Sequence, residues 1–83
     1  MQNNSESKQI PPEILYGIPI VSITGNKEII IENYQGIIEY TNYVVRVRTK
    51  IGELKITGQN LNIIYFTSDD MLITGEIRVI EYL

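Results

Sequence analysis

The sequence predicts a small all-β protein, and three observations support this prediction. Isoleucine and valine dominate the 83 residues, and their branched side chains suit pleated strands better than helices. Alanine, the residue with the highest helix propensity, does not occur at all. Short apolar runs follow one another at close intervals and are separated by turn residues. Together these features indicate an antiparallel β-domain.

Strand-like patterns recur along the chain, and the links between them are short. A parallel crossover needs a dozen or more residues, so neighbouring strands are predicted to be antiparallel. We expect a small antiparallel meander that forms a two-layer sandwich-like or rolled sheet. Gly58 and Gly75 are expected to be bulges or corners rather than full turns. The predicted strands are residues 19–24, 28–33, 36–41, 43–49, 53–58, 60–67, 71–74 and 76–83.

One segment has the pattern of a β-hairpin. Two isoleucine runs, at residues 29–31 and 37–38, flank a polar link that contains Gly36. Gly36 and Gly58 each lie between apolar strand runs where a turn or a bulge is needed. At least one of them is therefore predicted to have a positive φ angle.

Residues 1–13 are polar and proline-containing, and they are predicted to form a disordered lead. Residues 14–83 are predicted to form a single all-β domain. No apolar run approaches the length of a membrane span, and the polar start lacks the apolar region of a signal peptide. A cytoplasmic protein is expected. The net charge of −3 argues against nucleic-acid binding, which needs clustered lysine and arginine.

The composition removes several kinds of chemistry. Cysteine and histidine do not occur, so thiolate metal sites, disulfides and the usual near-neutral general base are excluded. Asp69-Asp70 is typical of a solvated turn and lacks the spaced ligands of a calcium loop. We expect no enzyme activity, no catalytic residue, no cofactor and no metal site. Paired carboxylates remain the only route to acid–base catalysis.

Strand alternation predicts which side chains share a face. Val45 and Val47 should point one way and Arg46 and Arg48 the other, and Ile77 and Val79 should share the face opposite to Arg78. Four isoleucines are left on faces that should be polar, so either a second sheet layer covers them or they form a binding patch. These four are Ile30, Ile37, Ile64 and Ile80.

An interaction surface is predicted from exposed apolar, tyrosine and arginine positions. The arginines form a basic stripe that could meet an acidic partner or a phosphate, but cross-strand pairing with glutamates is the favoured explanation. Tyrosine is enriched at interfaces but is also a good strand former. The predicted surface consists of Ile30, Tyr34, Ile37, Tyr40, Arg46 and Arg48.

Short motifs in a fixed order give a further indication. Most are glycines and apolar residues, the types that determine turns and cores. In chain order they are Pro19-x-x-x-x-x-Gly25, Ile31-Glu32-Asn33-Tyr34-x-Gly36-Ile37, Tyr40, Gly52-Glu53-Leu54-x-Ile56-x-Gly58, Leu61 and Gly75-x-Ile77. With these motifs the chain resembles the YabP/YqfC family of bacterial sporulation proteins, and within it the YqfC branch.

The resemblance implies a small all-β sporulation protein, made in the mother cell and without attributed enzyme activity. It also implies a membrane-bound sporulation protein as partner, YqfD for the YqfC branch, and thereby membrane association through that partner. A homo-oligomer is a second option for covering exposed surface. The expected function is a non-enzymatic interaction or structural module in sporulation. The alternative is a small domain that binds or hydrolyses cell-wall glycan through surface carboxylates and tyrosines. A deep pocket with two facing carboxyl groups would favour that alternative.

Overall fold

The computed structural model of the chain describes residues 16–83. The predicted disordered lead and the predicted domain start at residue 14 lie outside the described residues. The described part contains six β-strands and no helix, which confirms the all-β prediction. In chain order the strands are β1 (Ile20–Thr24), β2 (Glu28–Glu32), β3 (Tyr34–Tyr40), β4 (Val44–Thr49), β5 (Gly52–Phe66) and β6 (Asp70–Tyr82).

The six strands form one open antiparallel sheet in the order β1-β2-β6-β5-β4-β3. Strands β3 to β6 form a meander, and the β1–β2 hairpin joins it by pairing β2 with β6. The hairpin predicted between residues 29–31 and 37–38 is wrong, because β2 and β3 pair with β6 and β4 instead of with each other. Asn33 alone connects them, with a φ of 65° that asparagine tolerates.

Two pairs of predicted strands are in fact two long, kinked strands. The strands predicted at 53–58 and 60–67 form β5, and those predicted at 71–74 and 76–83 form β6. Gly58 lies within β5 and Gly75 within β6, and the pairing of β5 with β6 shifts register at Thr57/Gly58 and at Gln59/Asn62. The expectation that these glycines are bulges or corners rather than turns is confirmed. The kinks divide each long strand into two arms, and only the first arm of β5 pairs with β4.

The sheet is rolled around one core. The core consists of ten apolar residues, each at most 7% exposed: Ile29, Ile31, Val45, Val47, Leu54, Ile56, Leu61, Met71, Ile73 and Ile77. Strands β2 and β4 are separated by two others in the sheet, so their side chains share a core only because the sheet curls. We call the face that carries these ten residues the inner face.

The predicted alternation fails at one place in β6. Arg78 is an extra residue between the two sheet pairs that flank it, and such a bulge reverses which side chains point inwards. Val79 is therefore 46% exposed while Ile77 is buried, and the expectation that the two share a face is wrong. Ile80 lies opposite Ile56 and packs against the core instead of lying on a polar face.

The prediction of a positive φ at Gly36 or Gly58 is wrong. Gly58 is required for a different reason, because a Cβ atom there would lie 2.0 Å from the carbonyl oxygen of Glu76. In the neighbouring strand β6, it is Gly75 that has a positive φ, of 144°. A Cβ at Gly75 would lie 2.6 Å from the carbonyl oxygen of Asn60. The kinked backbones thus approach too closely for side chains.

Candidate functional site

Edge strand β3 directs three large side chains to the inner face, although their spacing is not that of a regular strand. Tyr34, Ile37 and Tyr40 are three residues apart, and regular alternation would turn Ile37 away from both tyrosines. Two register shifts between β3 and β4 each add one residue to β3 and reverse its alternation. All three side chains therefore lie opposite buried residues of β4.

The two tyrosines connect β3 with the second arm of β5. This arm pairs with β6 on one side only. On the other side, the Tyr34 hydroxyl donates a hydrogen bond to the carbonyl oxygen of Thr67. The Tyr40 hydroxyl accepts one from the N–H of Ile63, with an N···O distance of 2.9 Å. No β-ladder joins β3 to this arm in the described sheet. The two hydroxyl groups therefore link the two sides of the roll here, together with backbone hydrogen bonds just beyond the two ends of β3.

An apolar cleft of about 490 Å³ opens between β3 and the end of β5. Ile37 on one wall is 38% exposed, and Phe66 on the other is 62% exposed. Phe66 lies opposite the fully buried Met71, so it extends the inner face beyond the core. The cleft is lined by Tyr34, Gln35, Gly36, Ile37, Phe66, Thr67 and Ser68. It offers apolar and aromatic surface, together with backbone groups of an edge strand.

The environment of Tyr34 favours its protonated form. Burial raises the pKa of its hydroxyl, and the negative charges of Asp70 and Asp69 raise it further. Tyr34 consequently remains a hydrogen-bond donor to Thr67 at physiological pH. This arrangement suits a structural clamp at the mouth of the cleft and does not suit a catalytic base.

A second cleft of about 420 Å³ adjoins the first and shares Tyr34, Gln35 and Ser68 with it. Its charged residues are Lys50 and Asp69, and the Lys50 ammonium donates to the carbonyl oxygen of Tyr16 at 2.6 Å. Neither cleft is lined by two carboxyl groups. Residues 16–83 also contain no group of three or more acidic side chains that could hold a metal ion.

Arg46 lies at the centre of a charged cluster on the outward face of the sheet. Its guanidinium binds both carboxylate oxygens of Glu53, with one N···O distance of 3.0 Å, and contacts Glu39 at 3.1 Å. The hydrogen bonds from Arg46 hold the pKa of the Glu53 carboxyl below its usual range. Cross-strand pairing, one of the two explanations considered for the arginine stripe, therefore accounts for Arg46. Arg48 on the same face is exposed.

Lowering the pH should reveal how much this ion pair contributes to the free energy of unfolding. The folded state lowers the pKa of Glu53, so the contribution is present above its unfolded value of 4.5 and is lost as pH falls through the lower folded value. Glu53→Gln should destabilise the chain at neutral pH, and its difference from wild type should shrink below pH 4.5. Urea titrations across that range measure this, and Arg46→Met should flatten the same part of the profile. A difference that is constant with pH would contradict the assignment.

The predicted interaction residues divide between the two faces of the sheet. Three of them point to the inner side from β3, namely Tyr34, Ile37 and Tyr40, and the first two line the cleft. The other three point away from the core: Ile30, Arg46 and Arg48. The structure therefore brings together only part of the predicted surface.

Phe66 is the largest cleft residue that sequence reasoning missed. The predicted strand over residues 60–67 contained it, but two register shifts between β5 and β6 lie just before it, and alternation could not place it. Ile64, between the residues of one such shift, is 57% exposed. An apolar residue two positions before Phe66 is the one signal in the sequence, and strand alternation places that isoleucine on a nominally polar face.

Comparison with known proteins identifies the family. The YabP family matches residues 19–83, the whole of the six-stranded sheet. The chain belongs to this family. It is also 31% identical over 74 residues to the Bacillus subtilis (strain 168) protein named uncharacterized protein YqfC, covering 89% of this chain and 80% of that protein. No solved structure matches.

Membership of the YabP family implies a sporulation-related protein. The motifs on which the resemblance rested now have positions in the fold. Gly58 and Gly75 lie at the two kinks, and Tyr34 and Ile37 line the cleft. In residues 16–83 we find no helix of the length and apolarity needed to cross a bilayer.

Proposed function

We propose that this protein is a non-enzymatic sporulation protein that acts as a small interaction module. Its partner is a membrane-bound sporulation protein of the YqfD kind, and its place is the cytoplasm of the mother cell, at the membrane through that partner. Family membership supports the sporulation context. The observation that carries the interaction role is the apolar cleft between β3 and β5, where Ile37 and Phe66 are exposed.

The chemistry of the cleft favours binding over catalysis. Its walls present Ile37, Phe66 and the ring of Tyr34, and none of its lining residues carries a carboxyl group. Aromatic and aliphatic surface in a concave site is suited to an apolar anchor side chain from a partner segment. The glycan-hydrolysing alternative required a pocket with two facing carboxyl groups. Neither cleft of the described chain has that arrangement.

A lysine in the cleft should prevent partner binding. In Ile37→Lys the long side chain can extend into solvent, because the position is 38% exposed, so the fold is expected to survive. The charge would sit where the partner's apolar anchor inserts and would lose its hydration on binding. We expect loss of co-purification with the membrane partner from sporulating cells, and fewer spores. Phe66→Lys, at a position that is 62% exposed, should have the same effect.

The matched control changes the neighbouring turn. Asp69 lies in the turn between β5 and β6, Asp70 is the first residue of β6, and the Asp70 carboxylate accepts a hydrogen bond from the Thr67 hydroxyl at 2.6 Å. An Asp69→Ala, Asp70→Ala double variant should bind the partner normally, because this surface contact contributes little to stability. Circular dichroism should show that all variants are folded. Functional lysine variants beside an inactive aspartate variant would overturn the interaction role in favour of a carboxylate-dependent site.

A further inference from the structure

Strand β1 forms the other edge of the sheet, and it lacks the features that protect β3. Its five residues pair with β2 without any register shift, whereas β3 contains two bulges. Residues 20–24 include no charged side chain. Within residues 16–83, no strand pairs with the outer side of β1. Natural edge strands are usually guarded by bulges or charges, and a regular uncharged edge is a template for a further strand.

The apolar inner face ends abruptly at β1. Ile23 lies opposite the fully buried Ile29, yet Ile23 itself is 53% exposed. Its neighbour Val21 lies opposite Ile31 and packs against the core. The apolar rows of the inner face therefore continue onto β1, and there they are exposed to solvent. A strand added beside β1 would bury Ile23 and extend these rows.

We propose that β1 pairs antiparallel with β1 of a second copy of this chain, about a two-fold axis at Ser22. This register alone pairs all five residues of the strand and leaves Pro19, which has no N–H to donate, outside the ladder. Val21 then lies beside Ile23 of the second copy, and both are on the inner face. The contact is self-complementary, as a two-fold interface must be. The two sheets become one continuous sheet.

Charge also favours a second copy at this edge. Each chain carries a net charge of −3, so two copies repel each other at most orientations. β1 is an uncharged strand, and identical strands can meet there without like charges facing each other. The inference does not depend on the proposed function, because β1 and the β3–β5 cleft belong to different edges of the sheet.

Sedimentation velocity of the full chain tests the proposal. We expect a monomer–dimer equilibrium that depends on concentration, with a dissociation constant in the micromolar range because the contact is small. Added salt should not weaken it. In Ser22→Lys two like charges would face each other across the axis, and the dimer should weaken by about tenfold or more. Gln59→Lys, the same charge at an exposed position of β5, should leave it unchanged.

Charge exchange tests the register itself. Ser22→Glu alone should weaken the dimer as Ser22→Lys does, and an equimolar mixture of the Ser22→Lys and Ser22→Glu chains should form a mixed dimer that is tighter than either homodimer. Only a register in which residue 22 faces its own counterpart predicts this rescue. A wild-type chain that remains monomeric, a dimer that salt weakens, or a mixture that stays monomeric would each overturn the proposal. Thermal melts of each variant should resemble wild type, since Ser22 is exposed.

Discussion

A Gly58→Ala variant is expected to lose about 3 kcal/mol or more of unfolding free energy. The added methyl group would lie 2.0 Å from the carbonyl oxygen of Glu76 and 3.2 Å from the Cα of Ile77. Both obstructing atoms belong to the backbone, so no flexible side chain can move away. Relief requires β5 and β6 to separate at the kink around which the sheet rolls. Urea denaturation would measure the loss, which is a large part of the stability of so small a domain.

Gly36→Ala is the matched control for Gly58→Ala. Gly36 lies in β3 without a positive φ, and a Cβ there would meet no atom within 4 Å. Alanine should therefore be neutral, or stabilising by up to about 1 kcal/mol through the lower entropy of the unfolded chain. Equal destabilisation by the two substitutions would show that the close approach of β5 and β6 is not what requires glycine at position 58.

The parts of the fold that follow from local pattern were predictable. Alternation along a strand is a property of adjacent residues, and it correctly placed Val45 and Val47 on one face, which the structure shows to be the buried one. The short links correctly indicated antiparallel pairing, and the glycines at 58 and 75 correctly marked kinks. These features need no knowledge of which strands lie side by side.

Strand order was not predictable from the sequence. A short link limits how far apart two successive strands can lie, but it does not specify which strands pair in the sheet. The polar link that contains Gly36 has the pattern of a hairpin turn, yet the single residue Asn33 joins β2 to β3, and this connection is shorter than the two-residue loops of tight hairpins. Here the sheet is rolled, so β3 can start a new edge immediately after β2 ends. The partner of β2 is β6, almost forty residues further along the chain. No local pattern in β2 specifies that pairing.

The candidate site was predicted in part for the same reason. Tyr34, Ile37 and Tyr40 were predicted as apolar or tyrosine surface, and the structure directs all three to the inner face, where Tyr34 and Ile37 line the cleft. Their common direction depends on two bulges in β3, and the place of Phe66 depends on register shifts in β5. A bulge adds one residue and reverses every side chain beyond it, and nothing in the composition of these strands marks where it occurs.

The same substitution at two positions of β5 should give sharply different results. Ile56 is fully buried between β4 and β6, opposite Val45 and Ile80, whereas Ile64 is 57% exposed. Ile56→Ala should cost about 2–5 kcal/mol, because it removes apolar contacts and leaves a cavity in the rolled core. Ile64→Ala should cost no more than about 0.5 kcal/mol, the usual limit for surface positions.

Thermal unfolding separates the two isoleucine variants. In a domain of this size, each kcal/mol shifts the midpoint by about 4–8 °C, so Ile56→Ala should melt at least about 10 °C below wild type. Ile64→Ala should melt within a few degrees of wild type. If Ile64→Ala instead cost as much stability as Ile56→Ala, a second layer would have to cover the second arm of β5. The exposed apolar surface beside the cleft would then be part of a core. Retained stability in Ile64→Ala together with lost partner binding would extend the interaction surface from Phe66 to Ile64.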